Sequence, residues 1–142
     1  MNIFIVENSN FLRERLMRLV AQQRSIEVIG SAATPAQAIQ DIRRLKPDVV
    51  LLDIRLDGGN GLQVLQQIKK QEKPPVVIVL TNYPYPQYRT RYLASGADYF
   101  FDKSTELELM LDALQQLRYR FANTGTLPGY SIAARVNPHP RF

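Results

Sequence analysis

The sequence predicts a doubly wound α/β fold in which helices cover both faces of one parallel sheet. Two observations support this prediction. Short apolar runs alternate with helical segments five times along the chain, and this alternation is typical of parallel sheets. The apolar runs are also nearly unbroken, as expected for strands that are buried on both faces.

The chain opens with a strand, a helix and a second strand. Residues 3–6 form an apolar run that predicts the first strand. The helix that follows has apolar residues at helical spacing, namely Phe11, Leu12, Leu16, Leu19 and Val20. The second strand, around residues 26–29, is shorter and less apolar. We therefore expect it to lie near an edge of the sheet.

The second helix and third strand have clear boundary signals. Thr34 followed by Pro35 is an N-cap with proline at the first helical position. Lys46 precedes a proline, which ends the helix. The third strand, residues 49–52, is entirely apolar and stops at Asp53.

A glycine-bearing loop at residues 57–61 leads into the third helix. The fourth strand spans residues 76–80 and ends at Thr81. A stretch rich in tyrosine and proline precedes a weaker helix, which runs through about Ser95. Gly96 then provides the C-cap.

The fifth strand is predicted at residues 97–101, shortly before Lys103. We expect the last helix to open at Ser104 or Thr105, because Thr105 and Glu108 have the spacing of a capping box. Its apolar stripe contains Leu107, Met110, Leu111, Leu114 and Leu117.

These elements predict one domain, residues 1–121, and an irregular C-terminal tail, residues 122–142, without a separate effector domain. Right-handed crossovers leave few topologies for five parallel strands. The commonest is the flavodoxin-like order 2-1-3-4-5, which is the order we predict.

Composition narrows the functional class. The chain contains no cysteine, which agrees with a reducing compartment. No apolar run approaches the roughly 20 residues that cross a bilayer, and no signal-peptide pattern precedes the first strand, so we expect a cytoplasmic protein. The net charge of +5 is scattered over predicted helices, which favours solvated helix faces over a nucleic-acid surface.

Polar side chains stand where the predicted strands end. Glu7 and Asn8 follow the first strand, Asp53 the third, Thr81 the fourth, and Lys103 comes shortly after the fifth. Ligands of open α/β sheets bind outside the carboxyl ends of the strands. Two carboxylates, a hydroxyl and an ammonium are therefore expected in one pocket. Paired carboxylates favour a hard cation with oxygen ligands, of which Mg²⁺ is the obvious candidate.

Across residues 2 to about 120 the chain resembles the receiver domain of bacterial two-component response regulators, of the stand-alone type. The resemblance is carried by Ile5-Val6-Glu7-Asn8, Leu51-Leu52-Asp53-Ile54-Arg55-Leu56, Gly61, Leu80-Thr81, and Gly96-Ala97-Asp98 running on to Lys103. It implies a regulatory phosphoacceptor rather than an enzyme. Its partner would be a sensor histidine kinase or a phosphotransfer protein.

The resemblance implies a role for each matched residue. Asp53 would be the phosphoacceptor, and Thr81 and Lys103 would bind the phosphoryl group. Glu7, Asn8, Asp53 and the backbone carbonyl of Arg55 would hold Mg²⁺. Phe100 occupies the position of an aromatic residue that turns inward on activation. Output would pass to a downstream protein, or to a second copy of the chain, through the fourth helix, fifth strand and fifth helix.

Three residues depart from the family pattern. Asn8 stands where a second acidic residue is usual, so Mg²⁺ binding is expected to be weaker. Asn82 follows Thr81 where a small residue is typical. Ser104 follows Lys103 where proline after a cis bond is common. We expect either a trans bond with a shifted loop or a cis bond that costs about 3 kcal/mol.

Of three other functions, a pseudo-receiver and a nucleic-acid binder stay open, and a flavodoxin-like cofactor binder is rejected. A pseudo-receiver would use the fold for binding without phosphorylation, and Asn8 is its best support. A flavodoxin-like cofactor binder would need a phosphate-cradling loop after the first strand, where Glu7 would instead repel phosphate. A nucleic-acid binder would act through the tail with Arg120, Tyr130, Arg135, Arg141 and Phe142.

Overall fold

The computed structural model describes residues 1–124 of the chain. Its strands are β1 (Asn2–Val6), β2 (Glu27–Ala32), β3 (Val49–Leu52), β4 (Arg55–Leu56), β5 (Gly59–Asn60), β6 (Val76–Thr81) and β7 (Tyr99–Asp102). Its helices are α1 (Asn10–Ala21), α2 (Pro35–Leu45), α3 (Gly61–Ile68), α4 (Pro86–Ala94) and α5 (Leu107–Thr124).

Five of the strands form one parallel sheet in the order β2-β1-β3-β6-β7. Since β6 and β7 are the fourth and fifth predicted strands, this is the predicted order 2-1-3-4-5. The prediction of a flavodoxin-like α/β fold is confirmed, and so is the edge position of β2.

Each face of the sheet carries its own apolar core, because successive residues of a buried strand point to opposite faces. Ile3 and Ile5 of β1 pack with buried residues of α1 and α5. Phe4 and Val6 pack on the other face with buried residues of α2, α3 and α4. The sheet is therefore held rigidly between two helical layers, and its rim can position side chains accurately.

Local capping signals behave as the sequence predicts for α2. Thr34 accepts a hydrogen bond from the backbone N–H of Gln37 at 3.2 Å. Lys46 ends the helix in the left-handed conformation, with φ of 51°. These caps fix where α2 begins and ends on its face of the sheet.

Three details differ from the predictions. Residues 55–60 contain the antiparallel hairpin β4–β5, which was not predicted because strands of two residues have no periodic signal. Strand β7 begins at Tyr99 rather than at residue 97. Phe11 belongs to the predicted apolar stripe of α1 yet is 72% exposed.

The start of α5 also differs. The helix begins at Leu107, and the expected opening at Ser104 or Thr105 is wrong. The backbone carbonyl of Asp102 instead accepts a hydrogen bond from the N–H of Glu106 at 2.7 Å, and the Glu106 carboxylate accepts one from the N–H of Asp102 at 2.9 Å. This reciprocal pair closes the turn that precedes the helix.

Helix α5 continues to Thr124, three residues past the expected domain limit at residue 121. The tail residues named above, Tyr130, Arg135, Arg141 and Phe142, lie outside the described residues. Within residues 1–124, no helix has both the length and the apolar character that a membrane crossing requires.

Candidate functional site

Parallel pairing continues past the ends of the strands and brings distant residues to one rim of the sheet. The N–H of Asp53 donates to the carbonyl of Val6 at 3.0 Å, and the N–H of Lys103 donates to the carbonyl of Thr81 at 2.8 Å. The N–H of Glu7 likewise donates to the carbonyl of Ala32 at 3.0 Å. These backbone hydrogen bonds therefore bring the residues to one rim independently of contacts between their side chains.

Lys103 joins two carboxylates that lie far from it in sequence. Its Nζ is 2.5 Å from Oε1 of Glu7 and 3.2 Å from Oδ2 of Asp53. All three side chains are at least nine-tenths buried. Buried charges of this kind are stable only when paired and hydrogen-bonded.

Backbone donors hold the other oxygen of each carboxylate. The N–H of Ile54 donates to Oδ1 of Asp53 at 2.7 Å, and the N–H of Ser9 donates to Oε2 of Glu7 at 3.0 Å. With Lys103 on the remaining oxygens, both carboxylates have a fixed orientation. This is the preorganisation that positioned chemistry requires.

The electrostatics of the cluster are unbalanced. Burial raises the pKa of Asp53 above its ordinary value of 3.8; the Lys103 ammonium lowers it, and the nearby Glu7 carboxylate raises it further. Two carboxylates share one ammonium, so the cluster carries a net negative charge when Asp53 is ionised. That charge is buried away from water. Another cation would therefore be favoured at this rim.

The residues at the rim fit a Mg²⁺ ion in their chemistry. The carboxylates of Glu7 and Asp53 lie together there, and Mg²⁺ takes oxygen ligands; the amide of Asn8 and the Arg55 carbonyl are the further donors expected from the resemblance. Among residues 1–124 no group of three or more His, Cys, Asp or Glu side chains could hold a metal. Asn8 carries an amide where the resemblance leads us to expect a third carboxylate.

Thr81 and Phe100 lie outside the ion-pair cluster. Thr81 is fully buried at the end of β6, and its Oγ1 accepts a hydrogen bond from the N–H of Tyr83 at 3.0 Å. Phe100 is 2% exposed and packs under α4, with its ring centroid 6.4 Å from that of Tyr92. The structure thus brings Glu7, Asp53 and Lys103 into contact and places Thr81 on the adjoining strand.

Tyr92 connects α4 to the beginning of α3. Burial raises its pKa to about 12, while a hydrogen bond with the backbone of Leu62 opposes the shift. Leu62 lies in the first helical turn, where backbone N–H groups lack partners within the helix. No sequence pattern indicated this contact.

The sequence also missed a contact between Arg55 and Tyr83. The guanidinium carbon of Arg55 lies 4.0 Å from the centroid of the Tyr83 ring. Arg55 was expected to act only through its carbonyl, and Tyr83 belongs to the stretch rich in tyrosine and proline that precedes the fourth helix. Their positions in the sequence could have indicated the contact. Arg55 stands two residues after Asp53 and Tyr83 two residues after Thr81, and the strands that lead to these two site residues are paired.

Ser104 contributes to the turn that follows Lys103. The bond between the two residues is trans. The N–H and Oγ of Ser104 donate to Oδ1 of Asp102 at 2.9 and 2.7 Å. Proline would lack the backbone donor, so this turn differs from the usual family sequence in its hydrogen bonding.

Gly61 permits a close approach between α3 and the Asp53 loop. Its N–H donates to the carbonyl of Ile54 at 2.7 Å, and a Cβ atom on it would overlap the carbonyl oxygen of Asp53. We expect Gly61→Ala to lower the free energy of unfolding by about 1–3 kcal/mol, as overpacking does. Urea denaturation measures this loss.

Gly58→Asn is the matched control, because an added side chain there meets open space and Asn tolerates a positive φ. Equal stability of Gly61→Ala and wild type would contradict the close approach.

The chain matches one known protein family and is similar to several curated proteins. A family model described as the response regulator receiver domain matches residues 3–115. A response regulatory protein of Vibrio cholerae is 31% identical over 117 residues, which are 82% of this chain and 48% of that protein. The positive alginate biosynthesis regulatory protein of Pseudomonas aeruginosa is 46% identical over 82 residues, which are 57% of this chain and 33% of that protein.

Two solved structures of response regulators are similar in fold to this chain. A DNA-binding response regulator of the LuxR family from Staphylococcus aureus has a TM-score of 0.75 at 26% identity, covering 82% of this chain and 97% of that one. The response regulator domain of Thermotoga maritima CheB has a TM-score of 0.71 at 26% identity, covering 90% and 98%. The chain spans about half the length, or less, of the two curated relatives described above.

Proposed function

Because the chain belongs to the response regulator receiver domain family of two-component signalling, we propose that it is a switch operated by phosphorylation of Asp53. The phosphoryl donor is the phosphohistidine of a sensor histidine kinase or phosphotransfer protein. The observation that carries the proposal is the cluster in which one ammonium, Lys103, bridges two buried carboxylates.

The chemistry is a transfer between two labile phosphoryl bonds. A carboxylate oxygen of Asp53 attacks phosphorus, the bond from phosphorus to the imidazole nitrogen breaks, and the electron pair stays on the imidazole. The protein's contribution to such a step is positioning and charge neutralisation. Ile54 N–H and Lys103 hold the carboxylate in place, and the Lys103 ammonium is close enough to pair with the phosphoryl oxygens.

Mg²⁺ would be held by Glu7, Asp53, Asn8 and the carbonyl of Arg55, and it would neutralise charge on the transferring group. Asn8 supplies an oxygen without a charge, so we propose weaker binding than a third carboxylate would give. In the absence of the ion, Lys103 alone offsets the two carboxylates.

We propose that Thr81 transmits the effect of Asp53 phosphorylation to the surface that contacts a partner, which we call the output face. Its hydroxyl can donate to a phosphoryl oxygen, and such charge-assisted bonds bias a two-state loop. The proposed output face consists of α4, β7 and α5, where a cavity of about 350 Å³ lies between Pro84, Arg89, Phe100 and Glu106. Its partner is a downstream protein or a second copy of this chain, in the cytoplasm.

Phosphoryl uptake tests the proposal directly. The full chain is incubated with a small-molecule phosphoryl donor and Mg²⁺, and its intact mass is measured. We expect wild type to gain one phosphoryl group and Asp53→Asn to gain none. Addition of EDTA should reduce the gain. Absence of any gain in wild type would favour a pseudo-receiver, for which Asn8 and the internally paired Lys103 are the supporting features.

The metal site gives a second prediction. Asn8→Asp is expected to lower the Mg²⁺ concentration needed for half-maximal phosphorylation by about ten-fold, because it adds a full charge beside Glu7 and Asp53. Titration of phosphorylation rate against Mg²⁺ measures the change. Gln22→Glu adds the same charge at the far end of α1 and should leave the titration unaltered. An unchanged midpoint in Asn8→Asp would remove Asn8 from the metal site.

A further inference from the structure

The loop that carries Glu7 and Asn8 is braced by a side chain of helix α1. This loop spans only residues 7–9, between strand β1 and helix α1. Arg13 lies in the first turn of the helix, and its guanidinium reaches back over the loop. Nη1 donates to the backbone carbonyl of Glu7 at 2.8 Å, and Nη2 donates to Oδ1 of Asn10. One side chain therefore joins the two ends of the loop, and Asn8 lies between them in the chain.

A second contact links this loop to the ion-pair cluster at the rim. The N–H of Ser9 donates to Oε2 of Glu7 at 3.0 Å, while Oε1 of the same carboxylate is 2.5 Å from Nζ of Lys103. The orientation of the Glu7 carboxylate therefore depends on where the loop places the Ser9 amide. The carbonyl that Arg13 holds belongs to the peptide unit just before Asn8, so Arg13 restrains the backbone that leads to Ser9.

Neither helix stability nor an ion pair explains the position of Arg13. A cation in the first turn of a helix opposes the helix macrodipole. None of the salt bridges formed within residues 1–124 includes Arg13, and its two acceptors are a carbonyl and an amide oxygen. The side chain is half-buried, and a guanidinium presents a planar fork of donors that suits two acceptors at once. These features are those of a hydrogen-bonded brace.

We propose that Arg13 is a positioning residue of the phosphorylation site, which holds the loop so that Glu7 and Asn8 keep the arrangement that binds Mg²⁺. This proposal rests on the proposed function for the identity of the ion. Arg13 acts through the loop and touches neither the ion nor the phosphoryl group. Removing an interaction that orients metal ligands from outside the coordination shell commonly lowers metal affinity by about ten-fold or more.

The brace and the charge of Arg13 have opposite effects on a bound cation, so an experiment can separate them. A guanidinium near a metal site repels the ion, and loss of its charge alone would strengthen Mg²⁺ binding. Loss of the brace frees the loop and weakens Mg²⁺ binding. Arg13→Met removes both the charge and the brace. Arg13→Lys keeps the charge, but an ammonium lacks the planar fork that joins the two acceptors. Arg15→Met removes an exposed guanidinium from the same helix and is the matched control.

The first measurement is a titration of the unphosphorylated full chain with Mg²⁺, followed by the NMR shifts of its backbone amides. We expect the dissociation constant to rise about ten-fold in Arg13→Met and in Arg13→Lys, and Arg15→Met to match wild type. Binding in either Arg13 variant that is as tight as in wild type, or tighter, would overturn the proposal. Absence of Mg²⁺ binding in wild type would overturn it as well.

The second measurement needs neither metal nor phosphoryl group. Hydrogen exchange of the Ser9 amide is followed by NMR in EDTA, and we expect it to be about ten-fold faster in both Arg13 variants, because the loop opens more readily. Exchange of the Leu16 amide, inside α1, should stay as in wild type. Equal acceleration at Ser9 and Leu16 would assign Arg13 to helix stability and overturn the proposal.

The two measurements also separate this proposal from the proposed function. Failure of wild type to accept a phosphoryl group, with weaker Mg²⁺ binding and faster Ser9 exchange in the Arg13 variants, would reject phosphorylation and keep the positioning role. Phosphoryl uptake by wild type, with Ser9 exchange unchanged in those variants, would keep the proposed function and reject the positioning role.

Discussion

Lys103→Met is expected to lower the free energy of unfolding by about 3–5 kcal/mol, because it leaves two buried carboxylates without their shared ammonium. Glu7 and Asp53 are 1% and 7% exposed, so water cannot replace the lost contacts. The variant is also expected to lose phosphoryl uptake. Urea denaturation with EDTA, at neutral pH, measures the stability.

A double variant separates charge from packing. Lys103→Met combined with Asp53→Asn removes one of the two stranded charges, and we expect it to recover part of the lost stability. Lys73→Met, which removes an exposed ammonium elsewhere, is the control and should cost little. If the double variant were no more stable than Lys103→Met, the loss would come from packing of the lysine stem.

The positions of the site residues were predictable because strand ends are visible in the sequence. The apolar run of β3 stops at Leu52, immediately before Asp53, and that of β6 reaches Leu80, immediately before Thr81. The parallel topology then requires that these ends share a rim. What the sequence could not give is which atoms meet, since the bridging position of Lys103 depends on the turn between β7 and α5.

That turn shows why the remaining details escaped prediction. The sequence around Thr105 and Glu108 has capping-box spacing, yet α5 begins at Leu107. The Glu106 carboxylate accepts from the N–H of Asp102 across the turn, and no periodic pattern marks that contact. The Arg55–Tyr83 stack is similar, because it joins two loops whose separation is set by tertiary structure.

The charge imbalance at the rim connects stability to function. Three buried charged groups are retained where an apolar cluster of the same volume would cost less to bury. The excess negative charge would favour a bound cation, and in the proposed function the lysine would pair with the incoming phosphoryl group. We infer that the site sacrifices folding stability for this chemistry, as active sites commonly do.

Asp53→Asn tests this inference, and it is expected to stabilise the protein while abolishing phosphoryl uptake. Burial raises the pKa of Asp53 above its ordinary value of 3.8, so the folded state binds its proton more tightly than the unfolded chain does. Below the unfolded pKa both states are protonated, and ionisation costs nothing. As pH rises through the folded pKa, the folded state must hold an unfavourable buried charge.

The stabilisation by Asp53→Asn should therefore be absent at acid pH and grow toward neutral pH. It is expected to reach a rise in Tm of roughly 2–6 °C, as about 1 kcal/mol gives for a domain of this size. Lys103 also contacts Glu7 in the wild-type protein, at 2.5 Å, and we expect that pair to remain in the variant with balanced charge. Thermal denaturation from acid to neutral pH, with EDTA present, gives the profile.

Asp102→Asn is the opposite control on the same rim. Burial raises the pKa of Asp102, but hydrogen bonds from Ser104 and Thr105 outweigh it and hold the pKa below 3.8. Its ionised form therefore stabilises the fold above the unfolded pKa, and that stabilisation is lost as pH falls through the folded pKa. Asp102→Asn should lower Tm at neutral pH, with the difference fading in acid. If both variants changed Tm in the same direction at neutral pH, the imbalance assigned to Asp53 would be wrong.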